Sequence, residues 1–316
     1  MSINSISALA RRLRANIQTV IVGKDDVIDL ALIALLCEGH ALFEDVPGIG
    51  KTTLAKAIAR SLNCAFKRIQ FTPDLLPSDV TGISFFNQRQ QEFEFRAGPI
   101  FSNVVLADEI NRATPRTQSA LLEAMQERQV TVDGQTMPLP RPFLVLATQN
   151  PIELEGTFPL PEAQVDRFLL RISMGYPTED EEHLILTRFE RSDPLDTLSP
   201  VVEVDDLAAM QAACRAVRVE RSVADYLVTL CRATRNAPGA QLGVSPRGTM
   251  ALYRAAQARA AIYGRDYVLP DDVKTLAQPV LAHRIVVDGQ SRLRGRKAED
   301  ILRDVIERVP VPVDRI

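Results

Sequence analysis

The sequence predicts an α/β fold: a parallel sheet of five strands with two β-hairpin insertions, followed by a smaller all-helical domain. Three observations predict it. In the first half, short apolar runs alternate with segments of helical period, as in crossover units whose sheet is covered on both faces. A Gly-rich loop joins the first of these runs to a helix-period segment. From Asp205 onward the chain is rich in Ala, Leu and Arg at helical spacing.

The five strands are expected at Ala41 to Glu44, Ala65 to Ile69, Asn103 to Ala107, Phe143 to Ala147 and Phe168 to Ile172. In such sheets ligands sit at the carboxyl ends of the strands. Between Ile83 and Phe101, Phe93 and Phe95 stand at strand spacing beyond the polar tip Asn87 to Gln91, which reads as a hairpin. Gln129 to Met137 reads as a second, with Asp133-Gly134 suited to a two-residue primed turn. In the helical part, Ser245 can cap, Pro246 suits a first helical position, and Gly264 can end the run. Pro270 followed by Asp271 and Asp272 starts another helix in the same way. The expected division is an α/β domain with an N-terminal helix over 1–176, a linker over 177–204 and the helical domain over 205–316.

Composition bounds the function classes. With 316 residues, 46% hydrophobic and 24% charged, the chain is too apolar for disorder and long enough for about two domains. A net charge of -3 supplies no global attraction to nucleic acid or an anionic membrane. Cys37, Cys64, Cys214 and Cys231 are far apart with no C-x-x-C pair, and read as reduced core residues. His40, His183 and His283 are too scattered for an imidazole metal site. The apolar run Leu30 to Cys37 is too short to span a bilayer, and the N-terminus lacks a signal-like apolar stretch. A cytoplasmic protein is expected.

The chemistry gathers at three strand ends. After Ala41 to Glu44 comes Asp45-Val46-Pro47-Gly48-Ile49-Gly50-Lys51-Thr52-Thr53 and then a helical run. Gly48 and Gly50 let backbone N–H groups converge on an anion at a helix N-terminus, Lys51 brings a point charge to terminal phosphates, and Thr52 would hold Mg²⁺. Asp45 replaces the first glycine of the strict phosphate-loop pattern, and taken alone the loop could be a turn that merely ends a strand. Val104 to Ala107 ends in Asp108-Glu109, where one carboxylate can face the metal and the other a water near the γ-phosphate. The bland alternative is a solvated acidic turn. Asn150, before Pro151, could fix that water, because an amide donates and accepts together. Alone it reads equally as a turn residue before proline.

These segments, with Ile21-Val22-Gly23, Gln70-Phe71-Thr72-Pro73-Asp74, Glu162 to Phe168 and Ser245-Pro246-Arg247, resemble an AAA+ ATPase of the MoxR family over nearly the whole chain. The resemblance implies a five-stranded P-loop nucleotide domain and a helical lid, the two hairpins being the helix-2 insert and the pre-sensor-1 hairpin. It places Val22 and Gly23 beside adenine, and Pro47 to Thr53 around the phosphates of ATP. Thr52 and Asp108 become the Mg²⁺ residues, Glu109 the catalytic carboxylate and Asn150 sensor 1. Arg167 becomes an arginine finger and Arg247 sensor 2. Without that context Arg167 would read as a surface charge, and for Arg112 and Arg116 a solvated role is equally open.

The function expected is ATP hydrolysis driving chaperone-like remodelling or maturation of partner complexes, in a hexameric ring with ATP between subunits. A separate von Willebrand factor A domain protein is the partner the resemblance implies, because this chain has no D-x-S-x-S motif. Two rivals are a nucleic-acid remodeller, disfavoured by the hairpin tip Asp133-Gly134-Gln135 without Lys or Arg, and a nucleotide-gated scaffold with little turnover. A GTPase is disfavoured by the lack of an N-K-x-D motif. No membrane insertion is expected.

Overall fold

The computed structural model describes residues 1–150 and 156–312. In chain order its strands are β1 (Ala41–Glu44), β2 (Phe66–Gln70), β3 (Gly82–Asn87), β4 (Glu92–Ala97), β5 (Val104–Asp108), β6 (Gln129–Val132), β7 (Gln135–Pro138), β8 (Leu144–Gln149) and β9 (Leu170–Ile172). Five of them form one parallel sheet in the order β2-β5-β8-β1-β9. These are the five strands expected from the sequence: β1 has the expected bounds, and the other four are shifted by one or two residues at their ends. The shifts have local causes. Asn103 uses its side-chain Oδ1 to accept from the Ala65 N–H at 3.2 Å, closing the edge before the ladder begins. Phe168 is held in a turn, its N–H on the Val165 carbonyl at 3.1 Å.

Alternation along each strand divides the apolar residues between two layers. Val105, Ala107, Val145 and Ala147 face the helix Pro115–Glu127, whose Leu121 and Leu122 join the same cluster. Val104, Leu106, Leu144, Leu146 and Phe43 face the other way, onto Leu54 and Ile58 of the helix Lys51–Ser61 and Ile28 and Leu32 of the helix Asp25–Leu36. Both hairpins form. Phe86 and Phe93 pair across β3 and β4 with ring centroids 5.3 Å apart, and Asp133 and Gly134 take positive φ at the tip of β6 and β7.

The helical part contains Val204–Cys214, Arg221–Thr234, Pro246–Ile262, Pro270–Leu281 and Ala298–Arg308. It is helical apart from one short antiparallel pair, β10 (Ala240–Leu242) with β11 (Val286–Val287). Ser245 caps its helix by accepting from the Gly248 N–H at 3.3 Å, and Gly264 closes it at φ +75°. Leu252, Ala256 and Leu276 from this part share one buried cluster with Ile6 and Leu13 of the N-terminal helix Ile3–Gln18 and with the sheet. The two parts of the chain are therefore continuous in packing.

The segment 177–204, read from sequence as a linker, carries the helix Glu179–Phe189 and a helical turn at Pro194–Thr197. Thr178 and Glu181 form a capping box, the hydroxyl accepting from the Glu181 N–H at 3.3 Å and the carboxylate from the Thr178 N–H at 2.9 Å. Among the described residues no helix is long and apolar enough to cross a membrane.

His40 locks β1 into this arrangement. Its Nδ1 accepts from the Val145 N–H at 3.0 Å, so its Nε2 carries the proton and donates to the Met125 carbonyl at 3.0 Å. Burial pushes its pKa down to about 4 from an ordinary 6.5. The unfolded chain thus binds a proton that the folded chain refuses, and His40 contributes stability that is present above pH 6.5 and is lost as pH falls toward 4. The unfolding free energy from urea titrations should fall between pH 7 and pH 5 by at most about 1.4 kcal/mol per pH unit for this group, and His40→Gln should flatten that slope. An unchanged slope in the variant would remove His40 from the account.

Candidate nucleotide site

Parallel strands bring their carboxyl ends to one edge of the sheet, and the register sets Gln70 beside Asp108 and Glu44 beside Gln149. A cleft of about 350 Å³ opens there, lined by Asp45, Pro47, Gly48, Gly50, Lys51, Thr52, Thr53, Asp108, Glu109 and Asn150 together with Arg68, Gln70, Thr148 and Gln149. The phosphate loop, the acidic pair and the strand-end amide expected from sequence thus meet in one space. Pro151 lies outside the described residues.

The loop owes its shape to two glycines. Gly48 and Gly50 have φ of +84° and +94°, a region costly for side-chain-bearing residues, and Gly50 precedes the helix that begins at Lys51. Nothing lies within 4 Å of where a Gly48 Cβ would project, so the loop faces open space of the kind an anion needs. Lys51 folds over it, its Nζ donating to the carbonyls of Asp45 and Val46 at 3.0 Å each. Partial burial lowers the ammonium pKa, against the opposing pull of Asp45, Asp108 and Glu109.

Asp45 has a structural reason that its place in the loop did not disclose. Its Oδ2 accepts from Ser173 Oγ and the Gly175 N–H at 3.0 Å each and from the Met174 N–H. One carboxylate therefore ties the start of the loop to the chain leaving β9. That chain helps to wall a neighbouring apolar slot of about 430 Å³, lined by Val20, Ile21, Val22, Ile49, Met174, Tyr176, Ile185 and Phe189 among others. Gly23 does not line the slot. It has φ +64° and packs so closely on Glu181 that a Cβ would stand 1.7 Å from Oε1.

The acidic pair is held by neighbours that sequence reasoning missed. Thr148 Oγ1 donates to Asp108 Oδ1 at 2.6 Å and accepts from the Glu109 N–H at 2.8 Å. Arg68 donates to Asp108 Oδ2 through Nε at 3.0 Å and Nη2 at 2.6 Å, and Nη2 also reaches Gln70 Oε1 at 2.8 Å. Gln70 Nε2 in turn donates to Glu109 Oε2 at 2.8 Å, where Arg112 Nε also pairs at 3.0 Å. Simple strand alternation would separate Asp108 from Glu109. Instead Glu109 adopts φ +57°, at a cost of about 1–2 kcal/mol, and both carboxylates line the same cleft. Only the pairing of β2 with β5 brings Arg68 and Gln70 here, a signal no single-strand pattern contains.

Arg167 and Arg247 line neither the cleft nor the slot. Arg247 is exposed in the first turn of the helix Pro246–Ile262, and Arg167 is half-buried just before β9. Arg116 is exposed, whereas Arg112 turns inward to Glu109. A further cleft of about 440 Å³ between β1, β9 and the lid is lined by Glu44, Arg171 and Glu299, which already pair with one another. It has carboxylates but no glycine loop at a helix N-terminus, the feature that lets backbone N–H groups converge on an anion in the first. As for a metal, the Thr52 hydroxyl and Asp108 carboxylate are hard oxygen donors on one cleft, a set that suits Mg²⁺.

The same architecture appears in known proteins. A model of the ATPase family associated with various cellular activities (AAA) matches residues 40–170, and a model of the AAA lid domain matches residues 232–305. A crystal structure from Cytophaga hutchinsonii superposes with a TM-score of 0.92 at 38% identity, covering 98% of this chain and 97% of that one. A phosphate loop on a five-stranded parallel sheet, with a helical lid, defines the class: an AAA+ ATPase. Chaperone MoxR1 of Mycobacterium tuberculosis is 41% identical over 94% of this chain and 80% of its own length. Uncharacterized protein YeaC of Bacillus subtilis is 54% identical over 95% of this chain and 94% of its own. The chain belongs to the MoxR family.

The Asp45 clamp predicts a local effect. Asp45→Ala strands the Met174 and Gly175 N–H groups, a loss of about 1–3 kcal/mol, and should speed hydrogen exchange over 173–178 while β5 and β8 stay protected. Unchanged exchange in that segment would show that the clamp does not hold it.

Proposed function

We propose that the protein is a Mg²⁺-dependent ATP hydrolase that works as a hexameric ring and uses the cycle to remodel or mature partner complexes in the cytoplasm. The observation that carries the reading is the convergence of Lys51, Thr52, Asp108, Glu109 and Asn150 on one cleft beside an apolar slot. The slot, with Val22 on its wall, takes the adenine ring. The N–H groups of the loop from Pro47 to Thr53 cradle the phosphates, and Lys51 exchanges its carbonyl partners for phosphate oxygens. Thr52 and Asp108 would hold Mg²⁺, which when bound neutralises phosphate charge and orients the terminal group.

Glu109, steadied by Gln70 and Arg112, takes the proton of the attacking water, and Asn150 orients that water through its amide. Arg167 and Arg247 act on the nucleotide of a neighbouring subunit. What supports this is that neither lines its own chain's cleft or slot. An arginine supplied across an interface is worth about 10³–10⁵ in rate, which makes turnover depend on assembly. A separate von Willebrand factor A domain protein is the proposed partner, and a remodelling role agrees with the name chaperone borne by the Mycobacterium tuberculosis relative.

Glu109→Gln should keep ATP binding while hydrolysis falls about 10²–10⁴-fold, because the amide keeps the shape and cannot take a proton. Lys51→Ala should lose nucleotide affinity. Calorimetry with ATP and phosphate release measured on the same samples check both. Loss of binding in Glu109→Gln, or unimpaired release in either variant, overturns the assignment.

A further inference from the structure

Arg284, on the helical turn Ala282–Arg284 of the lid, is only 8% exposed. Its Nε donates to Asp166 Oδ1 at 2.7 Å, and its Nη2 to the carbonyls of Phe168 at 2.7 Å and Asp166 at 3.3 Å. Its Nη1 reaches the Leu169 carbonyl at 3.3 Å. One buried guanidinium from the lid thus grips the residue before Arg167 and the two residues after it. His283 completes the grip. Its Nε2 lies 2.8 Å from Arg284 Nη1 and 3.2 Å from the Phe168 carbonyl, so the ring packs against both the guanidinium and the backbone that it holds. Burial, with the Arg284 charge beside it, holds the His283 pKa well below its ordinary value.

The other flank of Arg284 is the helix that carries Arg247. A Cβ on Gly248 would come within 2.7 Å of Arg284 Cδ, so the first turn of that helix rests directly on the guanidinium stem. Burial is the main influence lowering the Arg284 pKa, and the Arg247 charge adds to it, which marks the two cations as neighbours. A planar fork with this many fixed acceptors leaves the 166–169 segment no freedom to rotate alone, and no point-charge ammonium could reproduce it.

We propose that Arg284 is a positioning residue: paired with Asp166, it joins the Arg167 segment to the lid helix that bears Arg247, so both arginines are presented to the next subunit as one rigid unit. This rests on the reading of Arg167 as the arginine that acts in trans. It goes further in giving the lid a mechanical route to the neighbour's nucleotide. Rotation of the lid carries Arg167 with it, and a lid held in place holds Arg167 in place.

Two variants probe the link. Asp166→Asn keeps volume and removes the charge opposite Arg284. Gly248→Ala pushes on the stem from the far side without touching Asp166 or Arg167. Each should lower kcat about 10²-fold, the effect of a misplacement near 1 Å, with KM for ATP unchanged because each chain's own cradle is intact. Co-assembled with Lys51→Ala subunits, which have a dead cradle and an intact Arg167, each variant should recover activity above either parent. A parallel mixture of Arg167→Ala with Lys51→Ala separates the two ideas. If that mixture fails to recover, the trans reading falls and this proposal falls with it. If it recovers while the Asp166→Asn and Gly248→Ala mixtures do not, or if their defect lies in KM, Arg284 does not position Arg167. Should Asp166→Asn fail to fold, the Gly248→Ala mixture decides alone.

Discussion

Parallel register is the constraint from which the rest of the molecule follows. Strands that all run the same way end on the same edge of the sheet, and their last residues stand side by side. Here the ladder stacks Gln70 next to Asp108 and Glu44 next to Gln149, while the helix beginning at Lys51 presents its N-terminus to the same edge. A slip of one residue in β5 would turn Asp108 into the layer occupied by Val105 and Ala107, and the acidic pair would leave the cleft. The register is secured from below by residues with no chemical role, namely the alternating Val, Leu and Ala of β5 and β8 and the two-sided hydrogen bonding of His40.

Within the cleft, polar groups are satisfied in a chain. Arg68 serves Asp108 and Gln70, Gln70 serves Glu109, and Thr148 joins Asp108 to the Glu109 backbone. Such a network fixes carboxylate orientation before any ligand arrives, which reduces the reorganisation needed when charge develops there. Its cost is visible in the backbone: Glu109 is held at φ +57°, and the hydrogen bond from its N–H to Thr148 helps to offset that strain. Asp45 extends the same economy outward by tying the loop to the wall of the apolar slot. The polar cleft and the apolar slot are thereby set against each other by a single side chain.

The lid is integrated with the sheet through a shared apolar cluster and through charged contacts that penetrate it. Arg284 is the deepest of these, and removing one partner of a buried ion pair is far costlier than removing a surface one. That difference explains how two exposed or half-buried arginines can be held by something rigid: the rigidity lies one residue away, in a side chain that solvent hardly reaches.

The sequence by itself determined the strands, the hairpins and the three strand-end motifs, because those depend on local periods and on residue types that only certain backbones accept. Gly48, Gly50, the Asp108-Glu109 pair and the Ser245-Pro246 helix start are all written in short windows. The helix inside 177–204 is signalled there too, by Thr178 and Glu181 three residues apart, but it has no apolar stripe buried in the core to set it apart from a linker. Only the tertiary structure decided that Arg68, Gln70 and Thr148 surround the acidic pair, that Asp45 is a clamp, and that Arg284 grips the residues around Arg167. Each of these joins residues far apart in the chain across a ladder or between two domains, and hydrogen-bond partners at that range are chosen by packing and register, which no local pattern encodes.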